Sequence, residues 1–232
     1  MTTPVNITTL TFPQLKLRPR DAGLLRGYFA GAFGDRSVLF HNHTADNGFR
    51  YGYSQVQYKV LRGVPTVVGV AEGAGLVMQS FMDVDRLELN GHFVVVDDKE
   101  LKVDKVEAGV IDELRDYRLA SPLVMFNQEN YKAYQKLPEA ERSGFIRRLL
   151  RSHVITALRG IGCEVSPDKP LMVSPRLRVR MGTLKNKRMR MYLGDFTTNA
   201  AIPSGIGIGK STSKGYGTIL SVPYPVPCSS PI

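Results

Sequence analysis

Apolar residues recur along the chain at two distinct spacings, and the switches between them divide it into strands and helices. Alternation from Ile7 to Leu17 predicts a strand. Apolar positions at helical spacing, among them Leu24, Leu25, Tyr28 and Phe29, predict a helix over Arg20 to Phe33. After a polar, turn-rich stretch from Gly34 to Gly52, Val56 to Leu61 and Thr66 to Ala71 read as two β-branched strands joined by a tight turn at Arg62-Gly63. A short helix over Gly73 to Met82 and strands at Arg86 to Leu89, His92 to Val96 and Leu101 to Val106 complete the first half. The second half starts with a strand at Arg118 to Phe126 and a helical stretch holding Tyr131, Tyr134 and Leu137. Its strongest helix is Glu139 to Leu158, with Pro138 at its start, acids early, arginines late, and Gly160 and Gly162 at its end. Strands follow at Leu171 to Met181 and Lys187 to Phe196. Both halves run strand, helix, strands, which predicts an α+β protein of two related βαββ-type modules, 1–115 and 116–232.

The same alternation gives the stretch Gly205-Ile206-Gly207-Ile208-Gly209 one bare face and one apolar face. Gly215 and Gly217 repeat the pattern beyond a short polar tip, so two glycine-faced strands joined by a loop are expected. A bare face admits a second backbone, and Lys210 and Lys214 make a phosphate chain the natural guest. Glycines that serve only bulges and turns fit the same letters. Gly209-Lys210-Ser211-Thr212 imitates the end of a nucleotide-binding P-loop, but Ser204 stands where that motif needs glycine. The prolines at 223, 225, 227 and 231 also exclude the helix that should follow. No correctly spaced dinucleotide fingerprint starts at Gly205 or Gly207.

The net charge of +10 on 232 residues, with 43% hydrophobic residues, points to a globular protein with a polyanionic partner, nucleic acid or a membrane surface. The excess is concentrated between Arg142 and Arg190, where Arg176, Arg178 and Arg180 alternate and only Glu164 and Asp168 oppose. Two cysteines, Cys163 and Cys228, suggest neither a disulfide scaffold nor a metal knuckle. The N-terminus lacks a signal-peptide pattern, and no apolar run spans a membrane, so a cytoplasmic location is expected.

Candidate catalytic groups are few. Of four histidines, His41 and His43 stand together in the polar segment, and an imidazole with an ordinary pKa near 6.5 exchanges protons at cellular pH. A pair at i and i+2 also suits metal ligation, but no third ligand beyond Asp46 is evident, and a barrel metallohydrolase needs a longer chain. A polar surface loop is the plain alternative. Arg50, Tyr51, Tyr53 and Lys59 follow closely and add groups that orient phosphates or move protons. His92 and His153 stand alone on strand-like and helical stretches, where structural roles are expected.

Three segments together resemble the CRISPR-associated endonucleases of the Cas-six type, which cut the repeats of precursor CRISPR RNA. They are Leu25 to Tyr28 with His41-Asn42-His43, Tyr53 to Lys59 running to Val67 through Gly73, and Phe196 to Asn199 leading through Ile202-Pro203 into the glycine loop ending at Gly217. The resemblance implies two tandem ferredoxin-like (βαββαβ) modules and RNA cleavage without metal or other cofactor, in which the substrate's 2′-hydroxyl attacks the adjacent phosphate. It implies one of His41 and His43 as general base. The other, or Tyr51, is then the general acid or phosphate-stabilising partner, as in the branch of the family that uses two histidines. Lys59 and Arg36 are then candidates for charge stabilisation, and Arg178, Arg180, Gly205, Gly207, Gly209, Lys210, Lys214, Gly215 and Gly217 for RNA contact. Implied partners are CRISPR repeat RNA, other CRISPR-associated subunits and a second copy of the chain, with no membrane. An inactive RNA-binding subunit shares the loop and the basic track but needs no histidine pair. A membrane-surface or scaffold protein accounts for the charge alone.

Overall fold

The computed structural model describes residues 2–40, 52–184 and 187–223. The first half is β1 (Thr3–Thr11), α1 (Ala22–Phe33), β2 (Val56–Leu61), β3 (Val64–Val70), α2 (Glu72–Ser80), β4 (Arg86–Leu89), β5 (His92–Val95) and β6 (Glu100–Leu119). The second half adds α3 (Gln128–Lys136), α4 (Glu139–Gly160), β7 (Val173–Leu184), β8 (Lys187–Ala201) and β9 (Ile219–Ser221). Seven strands form one antiparallel sheet in the order β2-β3-β1-β6-β8-β7, with β9 also paired to β6, while β4 and β5 form a separate hairpin.

Two ferredoxin-like orders are contained in that sheet. In the first half β2-β3-β1-β6 carries α1 and α2 between its strands, a full βαββαβ unit with the β4–β5 hairpin inserted before its last strand. In the second half β7-β8-β6-β9 repeats the order. Strand β6 serves both: residues 100–108 pair with β1, residues 109–118 with β8 and residues 117–119 with β9. The second module has α3 and α4 after its first strand, but residues 202–218 form an irregular loop where its last helix is due.

Charged residues hid the length of β6. Asp112, Glu113, Leu114 and Arg115 are all exposed and show no apolar alternation, and the β6–β8 ladder shifts register between Val110 and Arg115. Backbone pairing on either side, to β1 over residues 100–108 and to β8 at 109–110 and 115–118, carries the strand through this stretch. Strand β1 is shorter than its alternation suggests, because Pro13 and Pro19 cannot donate to a ladder and Phe12 closes it with a hydrogen bond to Pro65. The strand expected to reach Phe126 ends at Leu119; beyond it only Leu123 bridges, to Tyr192.

Two apolar clusters fill the interior. Leu10, Phe12, Leu25, Phe29, Phe33, Val56, Tyr58 and Val67 join the first sheet to α1, with Phe29 and Tyr58 ring centroids 5.6 Å apart. On the sheet's other side, Val5, Ile7, Val68 and Val70 join the cluster holding Leu150, Val154, Ala157 and Leu158 of α4. That i, i+4, i+7, i+8 spacing gives α4 one apolar stripe, and each fully buried Leu or Val stabilises by about 1.5–3 kcal/mol. The stripe therefore fastens the two modules together. No helix among the described residues is long and apolar enough to cross a membrane.

Candidate functional site

Strand β2 shows how the site is built. Val56 and Tyr58 face the apolar cluster under α1, while Tyr53, Gln55, Gln57 and Lys59 alternate onto the opposite side, toward the second module. Gln57 and Lys59 are fully buried. The Lys59 Nζ donates to Gln57 Oε1 at 2.9 Å and to Thr218 Oγ1 at 3.0 Å. Gln57 Oε1 also accepts the Gly207 N–H at 2.8 Å, and its amide nitrogen donates to Tyr53 Oη at 2.9 Å and the Ser54 carbonyl at 2.8 Å. Tyr53 in turn donates to the Gly207 carbonyl at 2.7 Å. Ser121 bridges the far side, accepting the Thr218 N–H and donating to the Gly215 carbonyl. Burial lowers the Lys59 amine from 10.5 to about 7 and pushes the Tyr53 phenol well above its usual range, where it stays protonated. This network ties the glycine loop to the first module.

The loop is therefore not the open ribbon of two glycine-faced strands expected above. Gly207 and Thr218 make a single bridge, and a short helical turn covers Thr212–Lys214. A Cβ on Gly217, where φ is +65°, would lie 2.0 Å from the Ile208 carbonyl; one on Gly209 would lie 2.7 Å from the Val124 carbonyl. Those on Gly207 and Gly215 would come within 2.9 Å of the carbonyls of Tyr216 and Tyr58. These glycines admit the protein's own backbone, and only Gly205 has open space beside it. The alternation that suggested strands arises because Ile206 and Ile208 are buried in the core of the second module.

Lys59 is likewise corrected: a fully buried side chain cannot contact RNA, and it serves to hold the loop. Arg36 pairs with Asp83 and lies over the Phe33 ring, 4.9 Å from its centroid. Lys210 is exposed; its backbone N–H donates to the Val124 carbonyl. His41, His43 and Tyr51 lie outside the described residues. Phe40, immediately before His41 in sequence, is buried and accepts a hydrogen bond from Tyr58 at 3.0 Å. His153 accepts its structural role: burial lowers its pKa, and Nε2 sits 2.9 Å from the Met125 carbonyl.

What the structure does assemble is a cationic cleft of about 190 Å³ between the modules. Arg20 enters from the first; Arg180 on β7, with Lys214, Gly215 and Tyr216 on the loop, comes from the second. Next to it, Arg176 and Arg178 share the Arg180 face of β7 and line a second depression with Arg118. There Arg118 pairs with Asp195 and Arg176 with Asp116, each at 3.0 Å. Arg178 has no ion-pair partner among the described residues, so it and Arg180 are the cations of this face available to an external anion. Of the expected RNA contacts, Arg178, Arg180, Lys214 and Gly215 are gathered here. Sequence reasoning missed Arg20, Gln57 and Thr218; the period-two run of polar side chains from Tyr53 to Lys59 was the signal for Gln57.

Two ferredoxin-like modules that share a strand and meet at a basic cleft define a tandem ferredoxin-like protein with a glycine loop at the module boundary. The Cas6b N-terminal domain profile matches residues 3–107 and the Cas6b C-terminal domain profile matches residues 109–222. A solved structure of Cas6b superposes with a TM-score of 0.87 at 26% identity, covering 95% of this chain and 100% of that one. Another, of a CRISPR RNA processing endoribonuclease Cas6b, gives 0.75 at 24% identity with the same coverage and supports the fold. An uncharacterized protein of Methanocaldococcus jannaschii, MJ0978, is 26% identical over 150 residues, which is 61% of this chain and 95% of that protein. The chain belongs to the Cas6b family, within the Cas6 type of CRISPR-associated endoribonucleases.

Proposed function

We propose that this protein processes CRISPR RNA by cutting repeat RNA within the cleft between its modules, without a metal ion. The 2′-hydroxyl of the nucleotide before the cut attacks the adjacent phosphorus, and the bond to the 5′-oxygen breaks. The products are a 2′,3′-cyclic phosphate and a 5′-hydroxyl. One of His41 and His43 removes the 2′-hydroxyl proton; the other, or Tyr51, protonates the leaving oxygen. Arg20, Arg180 and Lys214 hold the phosphates on either side, as basic clefts do for any polynucleotide backbone. The two modules are proposed to divide near residue 115, the first carrying the histidines and the second the basic helix and loop; a cytoplasmic location follows from the substrate.

The observation that carries the reading is the match of both domain profiles of one endoribonuclease family, joined at a cleft whose charge comes from both modules. The test is a double variant, His41→Ala with His43→Ala, assayed for cleavage and binding of a synthetic repeat RNA in EDTA. Loss of cleavage with near wild-type affinity supports it. Retained cleavage removes both histidines from the mechanism. A wild-type protein that binds the RNA and never cuts it is instead a guide-RNA subunit.

A further inference from the structure

The end of the β7–β8 hairpin also borders a separate cavity, of about 370 Å³, that the cleavage mechanism does not use. The strand register fixes the two sides. Arg180 pairs with Met191 and shares its face, while Met181 with Arg190 and Thr183 with Arg188 share the other. Met181 lines both cavities and Thr183 reaches into the cleft, so the two spaces adjoin around β7, an edge strand of the sheet.

The lining has three chemical parts. Phe126 and Tyr131 form an aromatic wall, their rings edge to face with centroids 5.2 Å apart. Gln128 places an exposed amide at the rim, whereas Asn127 is committed to capping α3 through its 2.8 Å bond from the Asn130 N–H. Lys187 and Arg188 bring exposed positive charge, while Arg190 is held by Tyr134 Oη at 2.8 Å. Among the described residues no carboxylate lines the space. The Tyr131 ring, backed by the edge-on Phe126, with an amide and two cations, suits a planar heterocycle bearing a phosphate; an unpaired RNA base stacks on aromatic side chains and is read at its edges by amides. The size lies within the range of small-ligand pockets.

We propose that this cavity binds one unpaired nucleotide of the substrate RNA, its base stacked on Tyr131 beside Phe126 and its phosphate at Lys187 and Arg188, where the strand passes from the cleft over β7. The proposal rests on the reading of the cleft as the RNA-cutting site. It makes the hairpin a reader of a single-stranded position outside the scissile linkage.

The test uses the full chain and a series of repeat RNAs, each with 2-aminopurine at one position. One position, or two adjacent ones, is expected to lose fluorescence by stacking on binding. Tyr131→Ala should restore that signal and weaken affinity about tenfold. Arg188→Ala should weaken affinity, keep the quenching, and lower the salt dependence by about one counterion. If Tyr131→Ala does not fold, Tyr131→Leu, which keeps apolar bulk without a ring face, substitutes for it, with reduced quenching expected. Quenching at no position, or quenching that survives Tyr131→Ala, overturns the proposal, as does a pocket that binds AMP or CMP while RNA gives no position-specific signal. Wild-type cleavage without quenching sinks the pocket alone; quenching without cleavage sinks the endonuclease reading alone.

Discussion

Replacing Lys59 with Met should change how stability depends on pH, because Lys59 is a buried amine whose folded-state pKa falls from 10.5 to about 7. Below pH 7 both folded and unfolded chains carry the proton, and the folded state bears the full penalty of a buried charge. Between about 7 and 10.5 the unfolded chain binds a proton that the folded chain has shed, so stability rises with pH. Above that window both states are neutral and the dependence ends. At about 1.4 kcal/mol per pH unit, half-developed at the folded pKa, the gain between pH 7 and pH 9 is about 2 kcal/mol. For a chain of this size that is roughly 4–8 °C in Tm. Met preserves the length of the side chain, and Gln57 Oε1 keeps its bond from the Gly207 N–H, so the loop retains one of its ties. The measurement is denaturant unfolding of wild type and Lys59→Met at several pH values across this range. The difference between them isolates Lys59 from groups common to both, such as His153. Wild type should gain on the variant by about 2 kcal/mol. Wild-type stability minus variant stability that stays flat, or that falls as pH rises, would refute the buried, desolvated amine.

Three further outcomes follow. Gly217→Ala places a Cβ 2.0 Å from the Ile208 carbonyl at a φ of +65°, and should destabilise by about 3 kcal/mol or more in chemical denaturation. Thr218→Val removes the acceptor for Lys59 and the donor to the Gly215 carbonyl, and should cost about 1–3 kcal/mol in the same assay. Arg180→Ala and Lys214→Ala should each weaken RNA binding and lower the slope of log affinity against log salt by about one, with the double variant lowering it by about two; an unchanged slope places the RNA elsewhere.

How far the sequence could be read depended on whether a local pattern or a distant contact decided each element. Helix α4 was legible because its Pro138 start, charge gradient and apolar stripe are all local. The tandem plan was legible through the strand and helix rhythm and the resemblance. Strand β6 was not, since its charged middle is carried by pairing to β1 before it and to β8 around it, and no local alternation marks partners so distant in sequence. The glycine loop shows the same limit more sharply. Its composition announces close approach, but composition cannot say whose backbone approaches; at Gly209 and Gly217 it is the chain's own. Lys59 followed a similar course. A lysine on a strand reads as surface charge until Gln57 and Thr218 are seen to enclose it. Arg178 and Arg180, by contrast, reach the cleft side because alternation on β7 is a purely local property.

The origin of the nucleophile is the claim on which the proposed chemistry turns. A repeat RNA carrying a single 2′-deoxy nucleotide immediately before the cut site, incubated with the wild-type protein in the presence and absence of Mg²⁺, tests it directly. Normal binding and no cleavage are expected under either condition, with the all-ribose control yielding a 2′,3′-cyclic phosphate in EDTA. Cleavage of the deoxy substrate, or dependence of the control on metal, would contradict it.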